Sequence, residues 1–346
     1  MILDEKGTPL LLPSVRSATE QWASEALLNG FPYPPLLGLP AFRSSVSRLI
    51  FGEEQLIASI AATGGTGALA LNVKLLKLMG IRRVVLPVPS WPNHLRMLRA
   101  NDMEVIDVPF LEDGEPSIAA LLDVAEKADH PLGFLLQENC HNPTGKKWQA
   151  SDLEHLADAL RRKNHIVLVD CAYQGLGEGV EEDISMISML RAASVGLLVS
   201  WSASKNHTMY GLRTGLAAAC AQNEDEKETI EGHYRILTRE MHSASPTPGQ
   251  HIVSLVQENF AEDWRHDLAT LRRDLHRRRT HLIETFPQWQ KCLEGVGLYA
   301  VLPIEPHSIR ALREKHIFLT DDGRVNLAGI PLCRLEEFTE ALHILA

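Results

Sequence analysis

Several residues able to do chemistry stand directly after short apolar runs. Ser202-Ala203-Ser204-Lys205, and then Arg213, follow the run Val195–Ser200 (VGLLVS). If that run is a strand of an open α/β sheet, its carboxyl end faces the ligand crevice, and Lys205 points into a site rather than along a helix face. A lysine there can form a Schiff base with a carbonyl, while a hydroxyl and a guanidinium beside it suit a phosphate. Asp170 ends a second apolar run, His165–Asp170, where a carboxylate is costly unless a cation or hydrogen-bond donor meets it.

Besides that of Lys205, three strand ends carry polar or aromatic residues: Ser90-Trp91-Pro92-Asn93-His94, His141-Asn142-Pro143-Thr144-Gly145, and Asp170-Cys171-Ala172-Tyr173. A protonated pyridine nitrogen would satisfy Asp170, Trp91 offers a ring face, and Asn142 and Tyr173 offer donors. Together with Lys205 they describe a pocket for a flat, phosphorylated, hydroxylated pyridine aldehyde. Taken singly, Trp91 and Tyr173 also read as packing aromatics and Asn142-Pro143 as a plain turn. Gly64-Gly65-Thr66-Gly67 opens into Ala68-Leu69-Ala70-Leu71, and the free N–H groups of such a turn make a phosphate seat. A glycine turn before an ordinary helix fits equally well, since neither the Walker nor the dinucleotide spacing is present.

The elements that must position these residues alternate. Arg83–Pro87, Glu104–Val108, Gly133–Gln137, His165–Asp170 and Val195–Ser200 read as strands separated by helical patterns, which predicts a mostly parallel sheet. Ser151-x-x-Glu154 reads as a capping box before Leu153, Leu156, Ala157 and Leu160 at helical spacing, so a crossover helix is expected there. From about Glu262 a long charged helix carries Leu268, Leu271, Leu275 and Leu282, with Arg272, Arg273, Arg277, Arg278 and Arg279 around them; those arginines read as a solvated face. Beyond it, short strands and a final Leu335–Leu345 helix suggest a smaller second domain.

Composition narrows the classes. The chain has 346 residues, 45% hydrophobic and 23% charged, and a net charge of −10, so it is globular and lacks the electrostatic footprint of a nucleic-acid binder. Five scattered cysteines without a CxxC pair suggest a reducing compartment and no metal site. With no signal-like start and no apolar run long enough to span a bilayer, the expected address is the cytoplasm and no membrane contact is expected.

These motifs resemble a known family, the pyridoxal-phosphate-dependent aminotransferases of fold type I, in particular the aspartate and aromatic amino-acid (class I) subgroup. The resemblance runs through YPPLLGLPAFR (Tyr33–Arg43), GGTGAL (Gly64–Leu69), PSWPNH (Pro89–His94), CHNPTG (Cys140–Gly145), DCAYQGLGEGVEED (Asp170–Asp183), SASKN (Ser202–Asn206) and GRVNLAG (Gly323–Gly329). It implies an α/β fold with a mostly parallel central sheet flanked by helices and a smaller α/β domain. Residues 13–265 would form the large cofactor domain, with 1–12 and 266–346 forming the small one.

By the same resemblance, Lys205 holds the aldehyde of pyridoxal 5'-phosphate and later moves the proton, with Asp170 and Tyr173 as its catalytic partners. Asp170 would pair with the pyridine nitrogen, Tyr173 and Asn142 with the ring oxygen, and Trp91 would stack on the ring, with His94 and His141 behind. Gly65, Thr66, Ser202 and Arg213 would bind the phosphate, joined by Tyr33 from the other subunit of a homodimer. Arg324 would take the substrate α-carboxylate, alongside Asn142 and Trp91. Arg239, ten residues before Gly249, would reach the neighbouring pocket and bind a side-chain carboxylate. No metal is implied.

The activity implied is transfer of an amino group between an acidic or aromatic amino acid and a 2-oxo acid. The sequence departs from the family in two places. Its first residues match a segment normally found inside the chain, so the N-terminal arm and the stretch that covers the substrate are expected to be missing. Leu212 stands where an acidic residue usually precedes Arg213. The first departure keeps a second reading in view, a lyase, cyclase or decarboxylase of a specialised pathway on the same scaffold. A non-catalytic binding module is a third reading, disfavoured by the intact Lys205.

Overall fold

Apolar runs rich in β-branched residues are best covered when helices lie on both faces of the sheet they form. This chain follows that rule. The structure is a computed structural model that describes residues 1–53, 56–314 and 316–343. Its strands are β1 (Ile57–Thr63), β2 (Arg83–Val88), β3 (Glu104–Pro109), β4 (Leu111–Glu112), β5 (Glu115–Pro116), β6 (Gly133–Gln137), β7 (Ile166–Cys171), β8 (Gly196–Ser202), β9 (Thr214–Cys220), β10 (Tyr299–Val301) and β11 (Arg324–Asn326). The main sheet has the order β1-β9-β8-β7-β6-β2-β3. Only β9 runs against its neighbours.

All five runs read as strands lie in this sheet, with ends moved by at most two residues. The sequence reading passed over β1 and β9. Their sequences, IASIAAT and TGLAAAC, are rich in alanine, which has little strand propensity of its own. Burial decides instead: Ala58, Ala61, Ala62, Ala217, Ala218 and Ala219 are all buried, and their small side chains let the helix Gly64–Leu78 pack closely on both strands.

Two local expectations are corrected. The crossover helix exists as Ala150–Arg162, with Leu153, Leu156, Ala157 and Leu160 buried, but Gln149 is its N-cap and makes no side-chain cap bond. Ser151 therefore sits inside the first turn, and the capping box does not form. On the long helix Ala261–Thr285 the leucine stripe is buried as expected, yet Arg278 and Arg279 are buried with it. Arg278 Nε donates to the Ile330 carbonyl at 2.7 Å. Arg279 donates to the carbonyls of Leu293, Val296, Gly297 and Tyr299 at 2.6–3.2 Å. A guanidinium carries five N–H donors and no acceptor, so a ring of main-chain oxygens can replace water around it. Arg279 thereby braces the segment that leads into β10. Of the final helix, Leu335–His343 is described, and the expected end at Leu345 lies outside the described residues.

Glu138, just past β6, is fully buried, and accepts the Met186 and Ile187 N–H groups at 2.8 and 3.1 Å. Burial raises its carboxyl from the ordinary 4.5 to about 8; the two amide bonds oppose this and Asp183 adds to it. Between those two values the folded chain holds a proton that the unfolded chain has released, so stability falls as pH rises through that window. Glu138→Gln is expected to flatten this part of the profile. The variant should melt no lower than wild type above pH 8 and gain nothing near pH 5, as read by thermal unfolding across that range. An unchanged slope would mean that Glu138 is ionised throughout.

Candidate active site

The carboxyl ends of β6, β7 and β8 and the start of the helix Gly64–Leu78 enclose a cavity of about 240 Å³. Nine residues singled out from the sequence line it: Gly65, Thr66, Trp91, Asn142, Asp170, Tyr173, Ser202, Lys205 and Arg213. At one end, β8 and the helix come too close for side chains. A Cβ on Gly65 would lie 2.9 Å from Ser202 Cβ, and one on Gly64, whose φ is +73°, would lie 2.7 Å from Arg213 Nη2. The glycines are therefore needed for the close approach. They leave a cradle floored by helix N–H groups and walled by the Ser202 hydroxyl and the Arg213 guanidinium, which is what a phosphate requires. Arg213 Nη1 donates to the Tyr210 carbonyl at 3.0 Å, which holds the guanidinium at the cradle.

At the opposite end, Asp170 closes β7 and is buried. Its Oδ2 is 2.8 Å from His94 Nε2, and His94 Nδ1 is 2.8 Å from Ser90 Oγ. Trp91 meets His94 edge to face, with centroids 5.2 Å apart, and its ring forms one wall. Lys205 Nζ sits over the Tyr173 ring, 5.3 Å from its centroid. Loss of hydration lowers the Lys205 pKa, Arg213 adds to this, and the Asp170 charge opposes it. Burial above all, then Tyr299 and Asp170, push the Tyr173 hydroxyl well above its ordinary value, so it remains a neutral donor.

Asn142 links this group to the smaller sheet. Its Nδ2 donates to Tyr173 OH at 3.4 Å, and its Oδ1 accepts Arg324 Nη1 at 2.8 Å. Arg324 begins β11, whose pairing with β10 sets it opposite Val301. Its guanidinium lies over the Tyr299 ring at 5.4 Å.

Besides His94 and Arg324, which bond Asp170 and Asn142 without lining the wall, three residues fall elsewhere. His141, expected behind the pocket, is buried there: it bonds Thr144 Oγ1 at 2.9 Å and stacks on Phe110 at 3.8 Å, and burial, with a smaller push from His94, lowers its pKa to about 3. Tyr33 is 95% exposed and Arg239 is exposed near the end of the helix Glu224–Met241. Neither lines this chain's own cavity. Sequence reasoning missed Gln137, Tyr210 and Tyr299, which do line it. For Gln137 a signal existed, a polar residue closing an apolar strand.

A flat phosphorylated pyridine fits these residues: the glycine cradle at one end, the His94-supported carboxylate at the other, an aromatic wall and a partly dehydrated amine between. The family model described as aminotransferase class I and II matches residues 2–342. The cytoplasmic aspartate aminotransferase of Saccharomyces cerevisiae is 28% identical over 365 residues, covering 98% of this chain and 87% of that one. The structure of the aspartate aminotransferase from Saccharomyces cerevisiae cytoplasm superposes with a TM-score of 0.93 at 26% identity, over 99% of this chain and 90% of that one. An aromatic-amino-acid aminotransferase from Burkholderia pseudomallei, covalently bound to pyridoxal phosphate, shares the fold with a TM-score of 0.93 at 24% identity, over 100% and 91%.

Proposed function

The chain belongs to the class I and II aminotransferases and is a pyridoxal-phosphate-dependent amino-acid transaminase of fold type I; from that premise we propose how its residues divide the work. The cofactor, when bound, supplies an aldehyde for the amino group and a ring that takes up electrons from the substrate Cα. Gly65, Thr66, Ser202 and Arg213 would hold its phosphate. Asp170, held by His94, would face the pyridine nitrogen and favour a proton there, Tyr173 and Asn142 would meet the ring oxygen, and Trp91 would cover the ring. Lys205 Nζ would anchor the aldehyde and serve as the base for the substrate Cα proton. Its lowered pKa favours the neutral amine this needs.

Arg324 offers two parallel N–H groups to the substrate α-carboxylate, and its bond to Asn142 Oδ1 aims that fork at the cofactor end of the cavity. A fixed carboxylate would fix the orientation of the substrate Cα, so Arg324 would govern reaction type as well as affinity. The single observation that carries this reading is one cavity joining Lys205, Asp170 and the glycine cradle. Substrates are an amino acid and a 2-oxo acid, which sets transamination ahead of the lyase, cyclase or decarboxylase alternative.

The finer parts of the proposal concern assembly and place. Residues 13–265 form the cofactor domain, and 1–12 with 266–346 form the small domain, with Arg324 brought from the second to the first. Two copies pair, and Tyr33 and Arg239 complete each other's sites. Supporting this, Leu27, Leu28 and Phe31 are 77–86% exposed beside Tyr33, and Ile236 is 67% exposed on the helix of Arg239. Such an apolar surface marks a contact. Free cysteines favour the cytoplasm; among the described residues no helix is long and apolar enough to cross a membrane.

Arg239→Ala tests both substrate choice and pairing. A charge-assisted contact to a carboxylate is worth roughly 1.5–3 kcal/mol, so kcat/KM for aspartate or glutamate is expected to fall about 10- to 100-fold, and that for phenylalanine far less. Mixing Arg239→Ala subunits with Lys205→Ala subunits should restore dicarboxylate turnover, because each hybrid dimer holds one intact site. Equal losses on all substrates would make Arg239 structural, and an active monomer on sedimentation would refute the shared site.

A further inference from the structure

Gln137 closes β6 level with Asp170, its register partner on β7. Its side chain is buried and directs its polar atoms at two neighbours. Oε1 accepts the Asn142 main-chain N–H at 2.9 Å. Nε2 donates to the Asn142 carbonyl at 3.1 Å and to Ser90 Oγ at 3.5 Å. The two ends of a side-chain amide look alike to packing, but a main-chain N–H needs an acceptor and a carbonyl needs a donor. The Asn142 peptide therefore fixes which end of Gln137 faces Ser90, and that end is the N–H.

This orientation has a consequence for the proton order beyond it. With Gln137 donating to Ser90 Oγ, the Ser90 hydroxyl directs its own proton to His94 Nδ1, 2.8 Å away. His94 then donates from Nε2 to Asp170 Oδ2 at 2.8 Å. The reverse order would set the lone pair of Nε2 against a carboxylate. On its other side Gln137 clamps the residue that holds both Arg324 and Tyr173.

We infer that Gln137 is a positioning residue that sets the direction of the Ser90–His94–Asp170 proton order and, through the Asn142 peptide, ties it to the arginine that receives the substrate carboxylate. The inference rests on the roles proposed above for Asp170 and Asn142. Neither Gln137 nor Ser90 touches reacting atoms in this scheme. Their effect passes through the histidine tautomer and the placement of Asn142.

Gln137→Glu and Gln137→Leu test it by nitrogen NMR of the histidine rings, in the enzyme with and without cofactor, with the His94 signals identified by their loss in His94→Asn. Wild type is expected to carry the His94 proton on Nε2. Glutamate has no N–H for Ser90 and draws the serine proton to itself, so Nδ1 of His94 should gain a proton while Nε2 keeps its own against Asp170. Leucine removes the donor to Ser90, so the serine hydroxyl should turn partly away and shift the Nδ1 signal of His94 with the proton still on Nε2. In both variants kcat should fall about tenfold or more, as a buried network left partly unpaired demands, and Gln137→Leu should also raise KM through Asn142. Gln137→Met, with a similar length and no amide, carries the same test if either variant fails to fold. His94 Nδ1 signals unchanged in the folded variants overturn the inference, even if activity falls. Absence of a borohydride-fixed adduct on Lys205 in wild type would instead overturn the site assignment beneath it.

Discussion

Lys205→Ala is expected to lower transamination by at least about 10⁴-fold, because it removes a general base and a covalent anchor in one step. The borohydride-fixed adduct found by mass spectrometry on the Lys205 peptide of wild type should vanish. Part of the cofactor should stay bound, since Gly65, Thr66, Ser202 and Arg213 hold the phosphate without the lysine. Lys146 is the rival amine, being more deeply buried. Its ammonium meets Glu115 Oε1 at 2.7 Å, however, and is tied to that carboxylate. Lys205 instead faces an aromatic ring and an open cavity. A stable reduced adduct on Lys146, or on any lysine other than Lys205, would sink the assignment.

Lys205 and Asp170 were legible in the sequence for the same reason: each is charged and follows an apolar run, a placement that costs free energy unless a site uses it. The glycines at 64–67 were legible as a turn, but only the lack of room at Gly65, where a Cβ would lie 2.9 Å from Ser202 Cβ, separates a cradle from an ordinary helix start. Gln137 stayed hidden because an uncharged polar residue at a strand end is common, and its two-sided clamp depends on where the chain returns five residues later. The two histidines illustrate the limit. His94 and His141 each sit in a strand-end motif, yet one bonds Asp170 and the other packs on Phe110.

The fold was readable where branched residues mark strands and unreadable where packing overrides propensity. β1 and β9 are strands because helices need small side chains beneath them, not because alanine favours extension. Arg279 reads as one more charge on a solvated helix until the segment Leu293–Tyr299 folds its carbonyls around it. Contacts of that kind join residues far apart in the chain. No local pattern encodes them.

Asp170→Asn is expected to be the second most damaging change, although it alters two atoms and almost no volume. Asparagine can keep the contact with His94, so folding should be little affected and melting should stay near wild type. What it loses is the negative charge opposite the pyridine nitrogen. Breaking one side of a buried ion pair costs roughly 3–5 kcal/mol, and at about 1.4 kcal/mol per tenfold kcat should drop about 10²- to 10⁴-fold. The loss should fall on kcat rather than KM, since Arg324 and Asn142 still receive the substrate carboxylate. The neutral ring should also show itself without turnover, as a displaced visible absorbance of the Lys205-bound cofactor and an altered dependence of that absorbance on pH. Reconstitution with a cofactor analogue that bears a permanent positive charge at the ring nitrogen should recover part of the lost rate in Asp170→Asn and leave wild type largely unaffected. If Asp170→Asn keeps wild-type kcat and absorbance, the carboxylate at the end of β7 only anchors His94, and the proton on the ring must be held by another group.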